Sequence, residues 1–141
     1  MKKSLKSINQ GLKVFSKNVR KKLEPNCIIL YGSLARGDFN ERSDVDIIVI
    51  SSNLPENYYE RAKLLYDMIE NPVPIEPLGF TPDEFVRMIR KRHCTSLFAM
   101  QEGKPLFGKN YFSYLKKIHN EILNKYQIVK GNSAWIPKLL D

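Results

Sequence analysis

The sequence predicts a small α/β (α+β) domain whose mixed β-sheet carries helices mainly on one face. Two apolar runs, Cys27 to Tyr31 and Val45 to Ile50, are rich in Ile and Val and are bounded by turn residues, as buried strands are. Segments with helical periodicity precede and follow this pair of strands. The chain has 141 residues, of which 43% are hydrophobic, so it is long and apolar enough to form one compact core.

The N-terminal segment has the pattern of an amphipathic helix that packs on the sheet. Its apolar residues recur every three or four positions, which places them in one stripe along a helix: Leu5, Ile8, Leu12, Phe15 and Val19. Pro25 and Asn26 end the helix and lead into the first strand.

The same helix holds the whole of the chain's net positive charge. Eight lysine and arginine residues precede Glu24, the first acidic residue, and the other 15 basic residues are balanced by 15 acidic ones. We favour a solvated basic face on a helix whose other face is buried, because aromatic side chains do not alternate with the lysines. The other interpretation is a surface for nucleic acid or for an acidic partner.

The two strands carry small and acidic residues at the points where they begin and end. Gly32 and Ser33 follow the first strand, and a glycine there lets the backbone approach a ligand closely. Asp44 and Asp46 open the second strand, where residues two apart point to the same side. Two such carboxylates repel each other, and a divalent cation is the usual compensation.

This arrangement predicts a site for a metal ion and a phosphate. Asp44 and Asp46 would hold Mg²⁺. Gly32 and Ser33 would bind phosphate oxygens through backbone N–H groups and a hydroxyl, helped by the positive end of the short helix that follows. The alternative is a plain turn and a solvated strand entry. Gly-Ser alone or Asp-x-Asp alone is weak evidence, but the two motifs together, each beside its own strand, favour the metal and phosphate site.

The loop between the strands offers two further candidates. Arg36 either contacts a phosphate or pairs with Asp38 or another nearby carboxylate. Ser43, directly before the first of the two aspartates, is a further candidate contact for a nucleotide.

The middle of the chain predicts one more helix and one more strand. A helix over residues 56–69 has an inward stripe at Tyr58, Ala62, Leu65 and Ile69. Residues 73–80 predict a strand, which must be short or at an edge because Pro74 and Pro77 cannot donate to a sheet ladder.

The last third begins with a helix whose start is marked by a capping box over residues 81–84, so its acidic residues are structural. A short helix over residues 96–101 and a last strand over residues 105–108 follow. Asn110 can cap a final helix with the apolar stripe Tyr111, Leu115, Ile118, Ile122 and Tyr126. The tail carries apolar residues that would dock on the core or on another subunit, which favours self-association: Trp135, Ile136, Pro137, Leu139 and Leu140.

The stretch from Ile28 to Ile50 resembles the signature of the DNA polymerase beta-like nucleotidyltransferase superfamily, a Gly-Ser pair followed by Asp-x-Asp. The wording Gly-Ser-Leu-Ala-Arg-Gly and the spacing of ten residues are similar to the branch of minimal nucleotidyltransferases. The resemblance implies the nucleotidyltransferase fold. Residues 1–108 would form the catalytic domain, including the basic N-terminal helix, and residues 109–141 a C-terminal helix and apolar tail packing on the core or on a partner.

Enzymes of this superfamily transfer a nucleoside monophosphate from an NTP to a hydroxyl group and release pyrophosphate. By this resemblance, the residues that bind the nucleotide are Gly32, Ser33, Arg36 and Ser43. The catalytic carboxylates, which hold two Mg²⁺ ions, are Asp44, Asp46 and Glu76. Glu76 takes the place of the family's third carboxylate, usually an aspartate, and would accept the proton of the attacking hydroxyl. The alternative for Glu76 is an exposed residue on an edge strand.

The resemblance also implies a separate acceptor, because minimal nucleotidyltransferases lack the domain that would hold one. The partner is often a HEPN-type toxin, which the nucleotidyltransferase AMPylates from ATP as its antitoxin. A non-catalytic nucleotide- or partner-binding subunit and an RNA nucleotidyltransferase, guided by the N-terminal lysines, are the alternatives. Two scattered cysteines, no apolar run of transmembrane length and no signal-peptide pattern predict a cytoplasmic protein.

Overall fold

A four-stranded β-sheet forms the centre of the computed structural model, which describes residues 5–40, 42–126, 128–130 and 135–137. In chain order its strands are β1 (Cys27–Tyr31), β2 (Val45–Ile50), β3 (Ile75–Phe80) and β4 (Lys104–Phe107). Across the sheet they lie in the order β3-β2-β1-β4. β1 is antiparallel to β2 and β4, whereas β2 and β3 are parallel, so the sheet is mixed as predicted. Two short strands near the C-terminus, β5 (Ile128–Lys130) and β6 (Trp135–Pro137), pair with each other.

Helices alternate with these strands along the chain. In chain order they are α1 (Leu5–Leu23), α2 (Ser33–Arg36), α3 (Tyr58–Tyr66), α4 (Pro82–Arg90), α5 (Cys94–Glu102) and α6 (Lys109–Tyr126). None of them, within the described ranges, is both long and apolar enough to span a membrane.

The helices cover both faces of the sheet. On one face, α1 and α3 pack on alternate strand residues: Ile28, Leu30, Val45, Ile47 and Val49. On the other face, α4, α5 and α6 pack on the residues between them: Cys27, Ile29, Ile48 and Ile50. The predicted α/β class is confirmed, but the placement of helices mainly on one face is wrong. β1 and β2 are apolar at nearly every position, so both faces of the sheet must be covered.

The N-terminal helix has the predicted amphipathic form. Ile8, Leu12, Phe15 and Val19 are buried against the sheet, while Leu5 at the helix start is 59% exposed. The lysines between them lie on the exposed side of α1.

β3 is an edge strand, as its prolines predicted, because it lies at one end of the sheet and pairs with β2. Pro77 lies opposite Ile47 in this pair. Just before the strand, the carbonyl of Pro74 accepts a hydrogen bond from the N–H of Val45 at 2.7 Å, so neither proline interrupts the pairing.

The inward face of α3 differs from the prediction. Leu65 is buried as expected, but Tyr58 is 64% exposed and Arg61 is almost fully buried. The Arg61 guanidinium donates to the carbonyl oxygens of Pro55 and Gly79, and to the Glu84 carboxylate at 2.8 Å. Apolar periodicity could not reveal this residue, because its burial depends on acceptors that other segments supply.

The capping box at the start of α4 is confirmed. The N–H of Glu84 donates to the Thr81 hydroxyl, and the N–H of Thr81 donates to the Glu84 carboxylate. Because this carboxylate also pairs with Arg61, Glu84 is structural, as the sequence indicated.

The final helix packs into the same apolar cluster as β1 and β2 through Leu115, Ile118 and Ile122. The predicted docking of the apolar tail side chains, Trp135 to Leu140, lies outside the residues whose side chains are described. The division at residue 108 and the self-association of the chain stay predictions.

The core of α6 includes a histidine, which leads to a prediction about acid stability. His119 is fully buried, and burial, with a smaller effect from Lys116, lowers its pKa to about 4. The unfolded chain therefore binds a proton at this site between that value and the ordinary pKa of 6.5, and stability is lost as the pH falls through this window. Between pH 7 and pH 5, the free energy of unfolding should fall by about 2 kcal/mol more in the wild type than in His119→Leu.

Urea unfolding of both proteins across this pH range measures that difference. His93→Asn is the matched control, because the chain has two histidines and His93 is exposed at the start of α5. Equal pH slopes for wild type and His119→Leu would contradict the prediction.

Candidate active site

The functional residues predicted from the first strand pair meet at one end of that pair. β1 and β2 are antiparallel, and Tyr31 at the end of β1 lies opposite Asp46 near the start of β2. Gly32 and Ser33 follow Tyr31 directly, and Asp44 precedes β2 directly. The hairpin geometry therefore brings the Gly-Ser turn to the two aspartates, although ten residues separate them in sequence.

Gly32 lies directly against the Asp46 side chain. Its φ is 79°, in the left-handed region that favours glycine, and a Cβ placed on it would overlap the Asp46 carboxylate. Glycine is therefore required at position 32 for two reasons: the positive φ, and the Asp46 carboxylate that leaves no room for a Cβ.

The turn continues into α2, a single turn of helix. The N–H of Arg36 donates to the carbonyl of Gly32 at 3.0 Å, and the N–H of Gly37 donates to the carbonyl of Ser33 at 2.9 Å. N–H groups in the first turn of a helix are not used by its own ladder, so those of Ser33 and Leu34 remain to serve an anion. Gly37 ends the helix at a φ of 94°.

These residues line one open cavity of about 380 Å³. Its lining contains every predicted site residue except Glu76, together with two aromatic residues: Tyr31, Gly32, Ser33, Arg36, Ser43, Asp44, Asp46 and Phe98. Sequence reasoning missed the two aromatic residues. Tyr31 was read only as the end of a strand, and Phe98 comes from α5, whose position near the turn depends on how the helix packs.

Glu76 lies beside the aspartates but outside the cavity lining. In the parallel pair of β2 and β3 it is the partner of Asp46, so both side chains emerge on the same face of the sheet. Glu76 is exposed on this edge strand, as in the alternative that the sequence left open, but it lies close enough to both aspartates for their charges to raise its pKa. The three predicted carboxylates are therefore neighbours.

Their proximity changes their acidity. Burial raises the pKa of Asp46, and Asp44 raises it further, whereas Arg36 lowers it. Partial burial likewise raises the pKa of Glu76, as do the charges of both aspartates and the hydrogen bond with Asp44. Burial and the charges of Asp46 and Glu76 raise the pKa of Tyr31 to about 12. The site thus concentrates negative charge that Arg36 offsets only in part.

Arg36 pairs with carboxylates while it lines the cavity. Its guanidinium lies 2.9 Å from the Glu102 carboxylate at the end of α5 and 3.4 Å from that of Asp38. Of the alternatives that the sequence left open, carboxylate pairing is present. The predicted phosphate contact stays a prediction.

Ser43 also has a role within its loop. Its hydroxyl accepts a hydrogen bond from the N–H of Asn40 at 3.2 Å, and its own N–H donates to the Asn40 carbonyl at 3.0 Å. This turn delivers the chain to Asp44, and Ser43 faces the cavity next to it.

The donor set suits a hard divalent cation, although the carboxylates are not arranged as a finished ligand cluster. Across the described ranges, no three Asp, Glu, His or Cys side chains are grouped so as to hold an ion. Asp44, Asp46 and Glu76 nevertheless offer the oxygen ligands that Mg²⁺ prefers, and the raised pKa values of the latter two mark charge that a cation would compensate.

Comparison with known proteins gives a consistent family match. Residues 13–112 match the family model described as Polymerase beta, Nucleotidyltransferase. MJ1305 of Methanocaldococcus jannaschii, named as a candidate protein adenylyltransferase, is 32% identical over 127 residues, which cover 83% of this chain and 86% of the relative. MJ0141 of the same organism has the same kind of name and is 32% identical over 72 residues, which cover 44% of this chain and 73% of that protein.

Solved structures of low sequence identity share the fold. A toxin–antitoxin crystal structure with AMP-PNP matches with a TM-score of 0.54 and 18% identity, covering 82% of this chain and 91% of that chain. A mutant of the toxin–antitoxin MntA–HpeT matches with a TM-score of 0.53 and 17% identity, with the same coverage. These likenesses support the architecture of the sheet and its helices.

The close approach of Gly32 to Asp46 predicts that a methyl group added at position 32 lowers stability and ATP binding. Gly32→Ala should lower the free energy of unfolding by more than Gly37→Ala, and it should weaken ATP binding. Both glycines have positive φ, which costs an alanine about 1 kcal/mol at Gly37 and more at Gly32, whose ψ of −157° is rare for residues with a side chain, and only a Cβ at position 32 meets a neighbour. Urea unfolding and ATP titration of the two variants measure the difference.

A double-mutant cycle shows whether the Asp46 carboxylate is the cause. In an Asp46→Ala background, the cost of Gly32→Ala should fall, leaving only the cost of its backbone conformation, φ 79° and ψ −157°. An undiminished cost in that background would place the clash elsewhere.

The raised pKa of Asp46 predicts that its ionised carboxylate lowers the stability of the folded protein. A carboxyl group whose pKa is higher in the folded state than in the unfolded state makes the protein less stable as the pH rises through the folded value. Without divalent cations, Asp46→Asn should therefore melt at a higher temperature than the wild type at pH 8, and the gap should close at pH 4. Adding Mg²⁺ should raise the melting temperature of the wild type alone.

Thermal unfolding in EDTA and in Mg²⁺ provides the measurement. Asp67→Asn is the control, since Asp67 is an exposed residue that does not line the cavity. A lower melting temperature for Asp46→Asn at pH 8 in EDTA would contradict the repulsion argument.

Proposed function

The chain belongs to the Polymerase beta nucleotidyltransferase family, and from that premise we propose that it transfers AMP from ATP to a hydroxyl group on a partner protein. The chain is a nucleotidyltransferase by family. The nucleotide, the acceptor and the roles of individual residues are our proposal. The observation that carries it is the single cavity in which the Gly32–Ser33 turn faces Asp44 and Asp46.

The turn supplies the phosphate-binding half of the site. The N–H groups of Ser33 and Leu34 and the Ser33 hydroxyl would bind the β- and γ-phosphates, with Gly32 allowing their approach. Arg36 would add positive charge at the same wall, held there by Glu102. Tyr31 and Phe98 are the apolar surfaces available to the rest of the nucleotide.

The carboxylates supply the other half. Asp44, Asp46 and Glu76 would hold Mg²⁺, which neutralises charge on the phosphates and on the entering and leaving oxygens. The acceptor hydroxyl oxygen forms a bond to the α-phosphorus of ATP, the bond from that phosphorus to the oxygen bridging the β-phosphate breaks, and pyrophosphate leaves. Glu76 takes the hydroxyl proton.

The names of the relatives support the proposal that the acceptor is a protein. The Methanocaldococcus jannaschii relatives carry protein adenylyltransferase names, and the structural neighbours are toxin–antitoxin pairs. We propose that the acceptor is a HEPN-type toxin or another separate protein, that this chain acts as its antitoxin, and that both meet in the cytoplasm. The cavity is open, so a side chain from another molecule can reach it.

Incubation of the purified protein with a lysate of its source cell, Mg²⁺ and ATP labelled at the α-phosphate tests the proposal. We expect one labelled protein band, and none when the label is on the γ-phosphate, because pyrophosphate leaves. Asp44→Asn/Asp46→Asn should abolish the band, whereas Asp67→Asn should preserve it. Glu76→Gln should reduce the rate of labelling more than it reduces ATP binding.

Two results would contradict the proposal. Aspartate-dependent label in RNA would make the chain an RNA nucleotidyltransferase, for which the basic face of α1 would be the natural binding surface. The absence of label with any NTP, despite nucleotide binding, would favour a non-catalytic binding subunit.

A further inference from the structure

We propose that a groove between α1 and β4 binds an acidic, partly apolar segment of a partner protein. The groove consists of two adjoining cavities of about 470 Å³ and about 720 Å³ that share Arg20. Its α1 wall carries the basic residues Lys13, Lys17, Arg20 and Lys21. Its other wall carries Leu106 and Phe107 of β4.

The charge of this α1–β4 groove is one-sided. Four basic side chains line it against one acidic side chain, Glu24. This is the segment that holds the chain's net charge of +8, since its basic residues precede the first acid. The structure now shows that much of this charge faces a concave surface. A ligand with negative charge is therefore favoured.

β4 does not offer a regular strand edge to which a strand of the partner could be added. The pairing of β4 with β1 shifts register between Ile28 and Ile29, which leaves Leu106 outside the regular pairs, and Leu106 and Phe107 both reach the groove. Pro105 has no N–H to donate to an added strand. A short edge strand with a bulge and a proline resists extension of the sheet, so we expect the partner to bind to the side chains of the groove.

A peptide fits the surface better than a single-stranded nucleic acid. Base stacking needs a free aromatic face, and the Phe107 ring is covered by the Arg20 guanidinium, 4.6 Å from its centroid. The exposed large apolar residue in the groove is Leu106, which is 37% exposed. Basic residues around an aliphatic side chain suit a segment that combines acidic and apolar residues.

The groove is long enough to hold a short extended peptide. From Asn9 to its last residue, Leu23, α1 rises about 21 Å, enough for about six residues of extended peptide. β4 begins next to Leu30, one residue before the cavity-lining Tyr31, and follows Glu102, which holds Arg36. The groove is lined by the other end of this short strand, at Leu106 and Phe107. Resting on the proposed function, the bound segment would belong to the acceptor protein.

Fluorescence anisotropy with a defined probe tests the docking without any AMP transfer. The probe is a labelled nine-residue peptide that alternates Glu and Leu, and its counterpart replaces each Glu with Lys. We expect the acidic peptide to bind the wild-type chain and the basic one not to bind. Lys13→Glu/Lys17→Glu should weaken binding about tenfold or more and leave ATP affinity unchanged. This variant keeps Arg20 on Phe107, so the wall of the groove stays intact.

The matched control is Lys63→Glu/Arg87→Glu, which makes the same charge change at exposed positions on α3 and α4. It should bind the peptide like the wild type. Wild-type affinity in the groove variant would overturn the proposal, and so would equal loss in the control. Tighter binding of an oligoadenylate through Lys13 and Lys17 would assign the groove to nucleic acid. A failure of AMP labelling with intact peptide binding would overturn the proposed function alone.

Discussion

The candidate active site is built around the repulsion among three carboxylates at the starts of β2 and β3. Strand geometry forces Asp44 and Asp46 onto one face, and the parallel register places Glu76 beside them. Burial and mutual charge then raise the pKa of Asp46 and of Glu76. The fold maintains this unfavourable arrangement because apolar residues fill the rest of β2 on both faces of the sheet. A site that concentrates uncompensated charge is prepared for a cation and a nucleotide.

The glycine beside this charge connects the two halves of the site. The Cβ-free backbone at Gly32 lets the end of β1 pass against the Asp46 carboxylate and then turn into α2. Phosphate-binding N–H groups and cation-binding oxygens thereby come within one cavity. Both halves lie at one end of the buried strand pair β1 and β2, and packed strands are elements on which a reacting group can be held accurately.

The local part of this site could be predicted from the sequence because it depends on spacing. Two strands, a Gly-Ser pair and two aspartates two residues apart suffice to place Gly32, Ser33, Asp44 and Asp46 together, while their chemical roles stay predictions. The edge position of β3 followed from its prolines. The continuous apolar runs of β1 and β2 also indicated burial on both faces, and this signal should have predicted helices on both sides.

The parts that the sequence could not supply depend on tertiary packing. Phe98 reaches the cavity because α5 packs against β1, and Glu102 meets Arg36 for the same reason. Arg61 is buried because three acceptors from separate segments converge on it. The basic face of α1 was evident from composition, whereas the groove beside it depends on the irregular pairing of β4.

A crystal structure with Mn²⁺ and an ATP analogue whose α,β-bridging oxygen is replaced by a methylene group tests the central claim most directly. Mn²⁺ can replace Mg²⁺ at oxygen ligands, and its anomalous signal locates it without assumptions about the protein. The account predicts Mn²⁺ bound by Asp44 and Asp46, with the β- and γ-phosphates against the N–H groups after Gly32. Mn²⁺ or phosphates bound elsewhere, with the aspartates and the Gly32–Ser33 turn unoccupied, would contradict it.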